Sequence, residues 1–381
     1  MDISALALSA AFALLIPASA AQPEPGCPAA SAVTPCTTFC LPATHGPVFG
    51  RNYDWGIGFG LVTVNRRGLQ KSAFVAEPTE PAKWISKYGS LTFNQYGREL
   101  PTGGMNEAGL VVEVMWLTDT RYPDPDSRAG LGELGWVQYQ LDTCKSVAEV
   151  LATDSKIRVT TDSTSIHFLI CDASGEQATV EFLDGKLVAH TGGELPISAL
   201  ANDTYADSME YLETIQGFGG ERPTPKSRSS LDRFVRAACG VVEYEPGTKQ
   251  AAVDYSFDLL KNVSQGDYTQ WSIVYDIAER ALHFRTQNAP TIKTVKFASF
   301  DFSATSPCRI LDIDTPKAGD PTKLFKDYTV EANLALIRKS FKGTEFLADR
   351  PESFLLTLAR YPETMLPAKE QAAQPEPAGG R

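Results

Sequence analysis

Two strand-like runs joined by one turn constrain this chain more than any other stretch. Thr37-Thr38-Phe39-Cys40-Leu41 is β-branched and apolar, Pro42-Ala43-Thr44-His45-Gly46-Pro47 is turn chemistry, and Val48 to Tyr53 is again strand-like, so the segment reads as a β-hairpin. A hairpin folded near His45 returns Asp54 to the neighbourhood of Cys36. Were Cys36 the first residue, its thiol and free α-amine would sit beside that carboxylate and the guanidinium of Arg51. An α-amine titrates near pH ~8, so it can act as a general base without a histidine. A nucleophile that carries its own base is a known solution to acyl transfer. Arg51 and Asp54 have opposite parity, so both face Cys36 only where the strand ends or bulges near Tyr53. The competing readings are an Arg51–Asp54 surface ion pair, worth little energetically, and a disulfide from Cys36 to Cys27 or Cys40.

Upstream of the hairpin, residues 1–20 have the pattern of a secretory signal: Leu6 to Ile16 is apolar but too short to span a bilayer, and Ala18-Ser19-Ala20 suits a signal peptidase. The alternative is a buried N-terminal helix, and Asp2 stands where a signal usually has a basic residue. A signal places the protein in the periplasm or outside the cell, with no membrane association once it is removed. Residues 21–35, rich in Pro and Ala, read as a pro-segment or linker that ends at Cys36. Cleavage after Ala20 leaves Cys36 internal, so the amine mechanism requires a second cut at the Pro35–Cys36 bond.

Seven cysteines, an odd number, leave at least one thiol outside any pairing within the chain. They lack the density of a disulfide scaffold and read mostly as small buried hydrophobes, and no second ligand pair supports zinc. A formal net charge of −11 gives no basic footprint for nucleic acid. At 381 residues and 43% hydrophobic, the chain can bury a large core.

Strands are expected at Leu61 to Val64, Ser90 to Asn94, Leu110 to Leu117, Ser165 to Cys171, Ala178 to Phe182, Lys186 to His190, Thr269 to Ile277 and Arg280 to Arg285. Helices are expected at Gly132 to Cys144, Ser146 to Ala152, Tyr205 to Ile215, Ser230 to Val242 and Lys249 to Val263. Strands bracketed by helices without βαβ alternation indicate an α+β fold. Two amphipathic helices, Asp327 to Phe341 and Pro351 to Tyr361, follow, the first with Tyr328, Ala332, Ala335 and Leu336 on one face; they cover either the core or an oligomer interface. The organisation expected is therefore a main domain over residues 36–320, a helical extension over 321–366 and a disordered tail over 367–381.

Cys36-Thr37-Thr38-Phe39 with Gly50-Arg51-Asn52-Tyr53-Asp54-Trp55 resembles the choloylglycine hydrolase family, which includes the penicillin V acylases. The likeness continues through Gly104-Met105-Asn106-Glu107-Ala108-Gly109-Leu110, Ile166-His167-Phe168, Leu200-Ala201-Asn202-Asp203 and Asp232-Arg233-Phe234-Val235-Arg236, and fades after about residue 310. The resemblance implies the four-layer αββα sandwich of the N-terminal nucleophile hydrolases, hydrolysis of a small-molecule linear amide without a cofactor, self-processing before Cys36, and by family analogy a homo-oligomer. It assigns Cys36 as nucleophile, Arg51 and Asp54 beside it, Asn202 as oxyanion donor and Arg233 as a brace, with Arg236 one helical turn on as the rival. The alternative for Asn202 is an ordinary turn residue or a helix cap before Tyr205, and it also begins the sequon Asn202-Asp203-Thr204, where a glycan would bar catalysis. Trp116 falls where bile-salt-hydrolysing members place an asparagine; with Trp55 it is the candidate substrate-binding aromatic, the alternative being a core residue.

Phosphate-binding, zincin and Gly-x-Ser-x-Gly templates are absent, and Gly56-Ile57-Gly58-Phe59-Gly60 has the wrong spacing for a dinucleotide. A Cys36–His167 dyad is the remaining catalytic alternative. The functions in view are an acylase for penicillin V or acyl homoserine lactones, a conjugated bile salt hydrolase, and an inactive secreted binding protein.

Overall fold

Thr37–Leu41 (β1) and Val48–Asp54 (β2) form the hairpin, in register from Thr37 opposite Asn52 to Leu41 opposite Val48. Gly46 closes its turn at φ +122°, a conformation that L side chains avoid. Every residue of both strands is buried, as strands covered on two faces must be. The computed structural model describes residues 36–160, 164–247 and 249–368. The expected signal and pro-segment, Cys27, and residues 369–381 of the tail lie outside them.

Strands are numbered along the chain. The hairpin belongs to a six-stranded antiparallel sheet in the order Ala199–Leu200 (β14), β1, β2, Thr269–Asp276 (β15), Ala281–Thr286 (β16) and Lys293–Lys296 (β17). Facing it is a nine-stranded antiparallel sheet: Lys186–Thr191 (β13), Gln177–Leu183 (β12), Ile166–Cys171 (β11), Val111–Trp116 (β8), Pro101–Asn106 (β7), Ser90–Asn94 (β6), Leu61–Asn65 (β3), Arg309–Asp312 (β18) and Lys326–Asp327 (β19). Leu366–Pro367 (β20), Leu69–Ser72 (β4) and Lys83–Ile85 (β5) make a small third sheet, and Ala129–Leu131 (β9) pairs in parallel with Ile157–Val159 (β10).

Helices Ser230–Glu243 (α4) and Lys249–Asn262 (α5) pack on β1, β2 and their neighbours, while Glu133–Thr143 (α1) packs on β7 and β8. Alternation along the hairpin decides what each layer receives. Asn52 donates to the Leu260 carbonyl of α5, whereas Arg51 pairs with Glu113 of β8 and the Cys40 thiol lies 3.5 Å from that of Cys171 in β11. Helix, sheet, sheet and helix thus form the four layers of an αββα sandwich of α+β class. One apolar cluster fills the space between the sheets and under α4 and α5, and a second lies between the nine-stranded sheet and α1. The six cysteines among the described residues, from Cys36 to Cys308, are free thiols.

Local signals place the element ends. Ser229 caps α4 by accepting from the Asp232 N–H, Thr204 caps Tyr205–Glu213 (α3) and Ser146 caps Val147–Ala152 (α2). Asp184 and Gly185 turn the β12–β13 hairpin at φ 51° and 74°, as a two-residue hairpin loop requires.

The C-terminal extension departs from expectation. Val330–Lys342 (α6) buries Asn333, Leu336, Ile337, Ser340 and Phe341, so of the expected face Tyr328, Ala332, Ala335 and Leu336 only Leu336 is buried; Tyr328 precedes the helix and Ala335 is exposed. The inward turn of Asn333 is explained by its bonds: its carbonyl accepts from the Arg98 N–H at 2.9 Å and its amide donates to the Ala359 carbonyl at 3.1 Å. Together α6 and Glu352–Arg360 (α7) form a third apolar cluster against Phe74, Tyr96 and Leu100. Order also runs further than expected, because Pro367 pairs with Leu69 and Ala368 donates to the Gly68 carbonyl.

Candidate active site

Cys36 precedes β1 and is 4% exposed. Its backbone N–H donates to the Asn202 side-chain oxygen at 2.8 Å, and its carbonyl accepts from Arg233 Nη1 at 2.5 Å. Burial pushes the thiol pKa up, Arg51 is the main influence lowering it, and Asp54 raises it further. The thiolate therefore depends on nearby cations.

Arg51 is fully buried, paired with Glu113 and donating to the carbonyls of Thr102 and Val114, each at 2.8 Å. Tyr275 donates to the other Glu113 oxygen. The Arg51–Asp54 surface pair is thereby excluded. The register irregularity asked for near Tyr53 is present on the partner strand: Thr269 lies opposite Asp54 and Trp271 opposite Tyr53, which leaves Gln270 as an extra residue in β15. Beside it β2 ends at Asp54, and the charges of both Arg51 and Asp54 bear on the Cys36 thiol.

Asp54 Oδ1 accepts from the Thr269 hydroxyl at 2.5 Å; Oδ2 is buried without a partner. Burial pushes the Asp54 pKa up to about 7, with Thr269, Arg233 and Arg51 pulling the other way, and burial likewise pushes Glu113 up to about 7 against Arg51. A carboxyl whose pKa is higher folded than unfolded contributes stability below the unfolded value, near pH ~4, and loses it as pH rises through the folded one. Stability should thus fall between pH 4 and about 7 by at most about 1.4 kcal/mol per pH unit for each of the two groups. Urea unfolding across that range checks it: Asp54→Asn should flatten about half of the slope.

Asn202 sits after β14 in a loop fixed from several sides. Its N–H donates to Ser230 Oγ at 2.8 Å, its side-chain nitrogen donates to the Trp116 carbonyl at 2.8 Å, and Arg233 Nη2 donates to its oxygen at 2.7 Å. Because its oxygen meets two donors, the amide orientation is set by the network. The cap of α3 is Thr204, not Asn202, and an Asn202 that is 6% exposed cannot carry a glycan without unfolding the site. His167 contacts Glu181 at 3.0 Å and the Ala201 carbonyl at 2.9 Å, so it braces the Asn202 loop; both ring nitrogens are engaged away from Cys36, against a dyad.

Arg233 reaches Cys36, Thr37 and Asn202, whereas Arg236 donates to the Pro225 and Ser227 carbonyls. Arg236 lines a different hollow, of about 780 Å³, between the outer sides of α4 and α5. Geometry thus separates two arginines that spacing left open.

Cys36, Arg51 and Tyr53 lie at one side of a cavity of about 520 Å³. Trp55 and Trp116 wall it, their ring centroids 6.1 Å apart, and Trp116 is half-buried, so it is not a core residue. Tyr96, Phe74, Phe341 and Leu358 continue the wall. Glu113 and the C-terminal residues had not been singled out from sequence; the one signal for Glu113 was its charge inside the apolar run Leu110 to Trp116. Among the described residues no cluster of His, Cys, Asp or Glu has the arrangement of a metal site, and no helix is long and apolar enough to cross a membrane.

The penicillin V acylase of Pectobacterium atrosepticum is 26% identical over 316 residues, spanning 70% of this chain and 82% of the relative. The structure of penicillin V acylase from Agrobacterium tumefaciens superposes with a TM-score of 0.66 at 29% identity, over 77% of this chain and 98% of that one. Conjugated bile acid hydrolase from Clostridium perfringens shares the fold with a TM-score of 0.59 at 17% identity, over 74% of this chain and 98% of that one. The profile of the linear amide C–N hydrolases, choloylglycine hydrolase family, matches residues 36–310, and with a buried cysteine at the first matched position the chain belongs to that family of amidohydrolases.

Proposed function

We propose that the mature enzyme begins at Cys36, is exported, and cleaves amides whose acyl group is apolar. The observation that carries the reading is a cysteine at the wall of an aromatic cavity, its nitrogen and carbonyl each held by a side chain. In the reaction so read, the Cys36 α-amine takes the thiol proton and the thiolate adds to the amide carbonyl. The C–N bond then breaks as the amine leaves with that proton. A thioester remains; water, giving a proton to the same α-amine, adds to its carbonyl, and the C–S bond breaks to release the acid as the leaving thiolate takes that proton back. Asp54 Oδ2 is a buried acceptor suited to orient the amine, and Asn202 donates to the oxyanion. Export rests on the signal pattern of residues 1–20.

Aromatic rings offer apolar area and no amide for the polar part of a conjugate, so the acyl group dominates recognition. Penicillin V and acyl homoserine lactones should exceed glycocholate in kcat/KM on enzyme shown by N-terminal sequencing to start at Cys36. Trp116→Ala should weaken the first two mainly through KM. A clear preference for glycocholate would make it a bile salt hydrolase instead.

A further inference from the structure

The family match ends at Ile310, yet the cavity does not. Past that point the chain adds β19, α6, α7 and β20, and fastens them to the matched fold. Tyr96 shares a 2.9 Å hydrogen bond with Thr344, Asn333 accepts from the Arg98 N–H, and Tyr361 donates to the Ser72 carbonyl at 2.9 Å. Gly97 permits the contact: at φ +114°, its Cβ position would lie only 3.0 Å from Ile337.

What this segment presents to the cavity is apolar apart from Arg350, whose guanidinium lies 5.4 Å from the centroid of the Phe354 ring: the rest are Phe341, Phe346, Leu347, Phe354 and Leu358. The Phe354 ring lies 6.0 Å from Phe74 and 6.1 Å from Phe341, joining the added helices to the matched fold. Phe346 stands 49% exposed with its ring 6.3 Å from Trp116, so the extension meets the candidate acyl wall directly.

We infer that residues 328–361 form the distal half of the acyl site and set the length of acyl chain the enzyme accepts, a long unbranched chain running from Cys36 to α7. The inference rests on the reading of Cys36 as nucleophile. An amine leaving group carries polar atoms for which the five apolar side chains offer no partner, whereas methylenes gain from every apolar contact along them. A phenoxyacetyl group is short enough to be served by Trp55 and Trp116; a dodecanoyl chain needs the added wall.

The test compares Phe354→Ala and Leu358→Trp with wild type, one opening the wall and the other filling it. The ratio of kcat/KM for a dodecanoyl amide to that for a phenoxyacetyl amide should fall about tenfold in each, through KM. Calorimetric binding of dodecanoic acid should weaken about tenfold as well. Should Leu358→Trp fail to fold, Phe346→Ala takes its place as a second variant that opens the wall, at an exposed position. An unchanged ratio in folded variants overturns the inference, as does wild-type protein that does not bind dodecanoic acid. The binding arm needs no turnover, so loss of the site is told apart from failure of the proposed reaction: wild-type enzyme that binds the acid and hydrolyses neither amide overturns only the latter.

Discussion

Cys36→Ala protein is expected to keep the pro-segment, residues 21–35, and to hydrolyse no amide. Both effects come from one atom, because the proposed self-cleavage and the proposed hydrolysis each need Sγ to attack a carbonyl, in the first case that of Pro35. The surroundings should survive: the Cys36 N–H and carbonyl are held through backbone atoms by Asn202 and Arg233, contacts that an alanine retains. Intact mass gives the first result and turnover of penicillin V the second. Wild-type activity in protein that still begins before Cys36 would refute the amine mechanism. Cys36→Ser is the less decisive variant, since a hydroxyl can process slowly.

Asn202→Ala should lower kcat by roughly 10²-fold or more, the usual worth of one oxyanion donor. The substitution also removes the acceptor of Cys36 N and Arg233 Nη2 and the donor to the Trp116 carbonyl, so truncation alone cannot say which loss matters. Asn202→Asp can. It restores an acceptor oxygen for Cys36 and Arg233 while leaving no N–H to give. If Ala and Asp lose kcat alike with the thermal midpoint preserved, the loss lies with the side-chain N–H, which serves the Trp116 carbonyl as well as the proposed oxyanion, and not with the acceptor oxygen. An Asp variant near wild-type activity would reduce Asn202 to a positioning residue.

Local chemistry was legible in the sequence and long-range pairing was not. The hairpin from Thr37 to Asp54 follows from a few adjacent residues and appears where the pattern placed it, whereas the cap before Tyr205 is Thr204 and not Asn202. Short strands such as Ala199–Leu200 and Lys293–Lys296 carry too few residues for a period to register. The fourfold layering came from the resemblance, since periodicity alone gives only α+β. Arg51 was a candidate cation from the outset, but its partner Glu113 is 62 positions away and only the stacking of two sheets joins them. The apolar stripes of α6 and α7 announced a buried face without saying what it would face. That it would be a cavity rather than the main core depended on Phe74, Tyr96 and Leu100, all distant in the chain.

Arg233 has a mechanical consequence. Chain termini ordinarily fray, because the first residue is restrained from one side only. Here the carbonyl of Cys36 is gripped by a guanidinium from α4, the neighbouring Thr37 hydroxyl accepts from the same Nη1, and Thr37 itself is in register with Asn52. Each of these restraints acts on atoms at or after Cys36. Severing the bond in front of it would therefore relax none of them, and the new end of the chain would keep the immobility of a residue in mid-sheet. With Cys36 as the proposed nucleophile, scission would give it a free amine without costing it its aim.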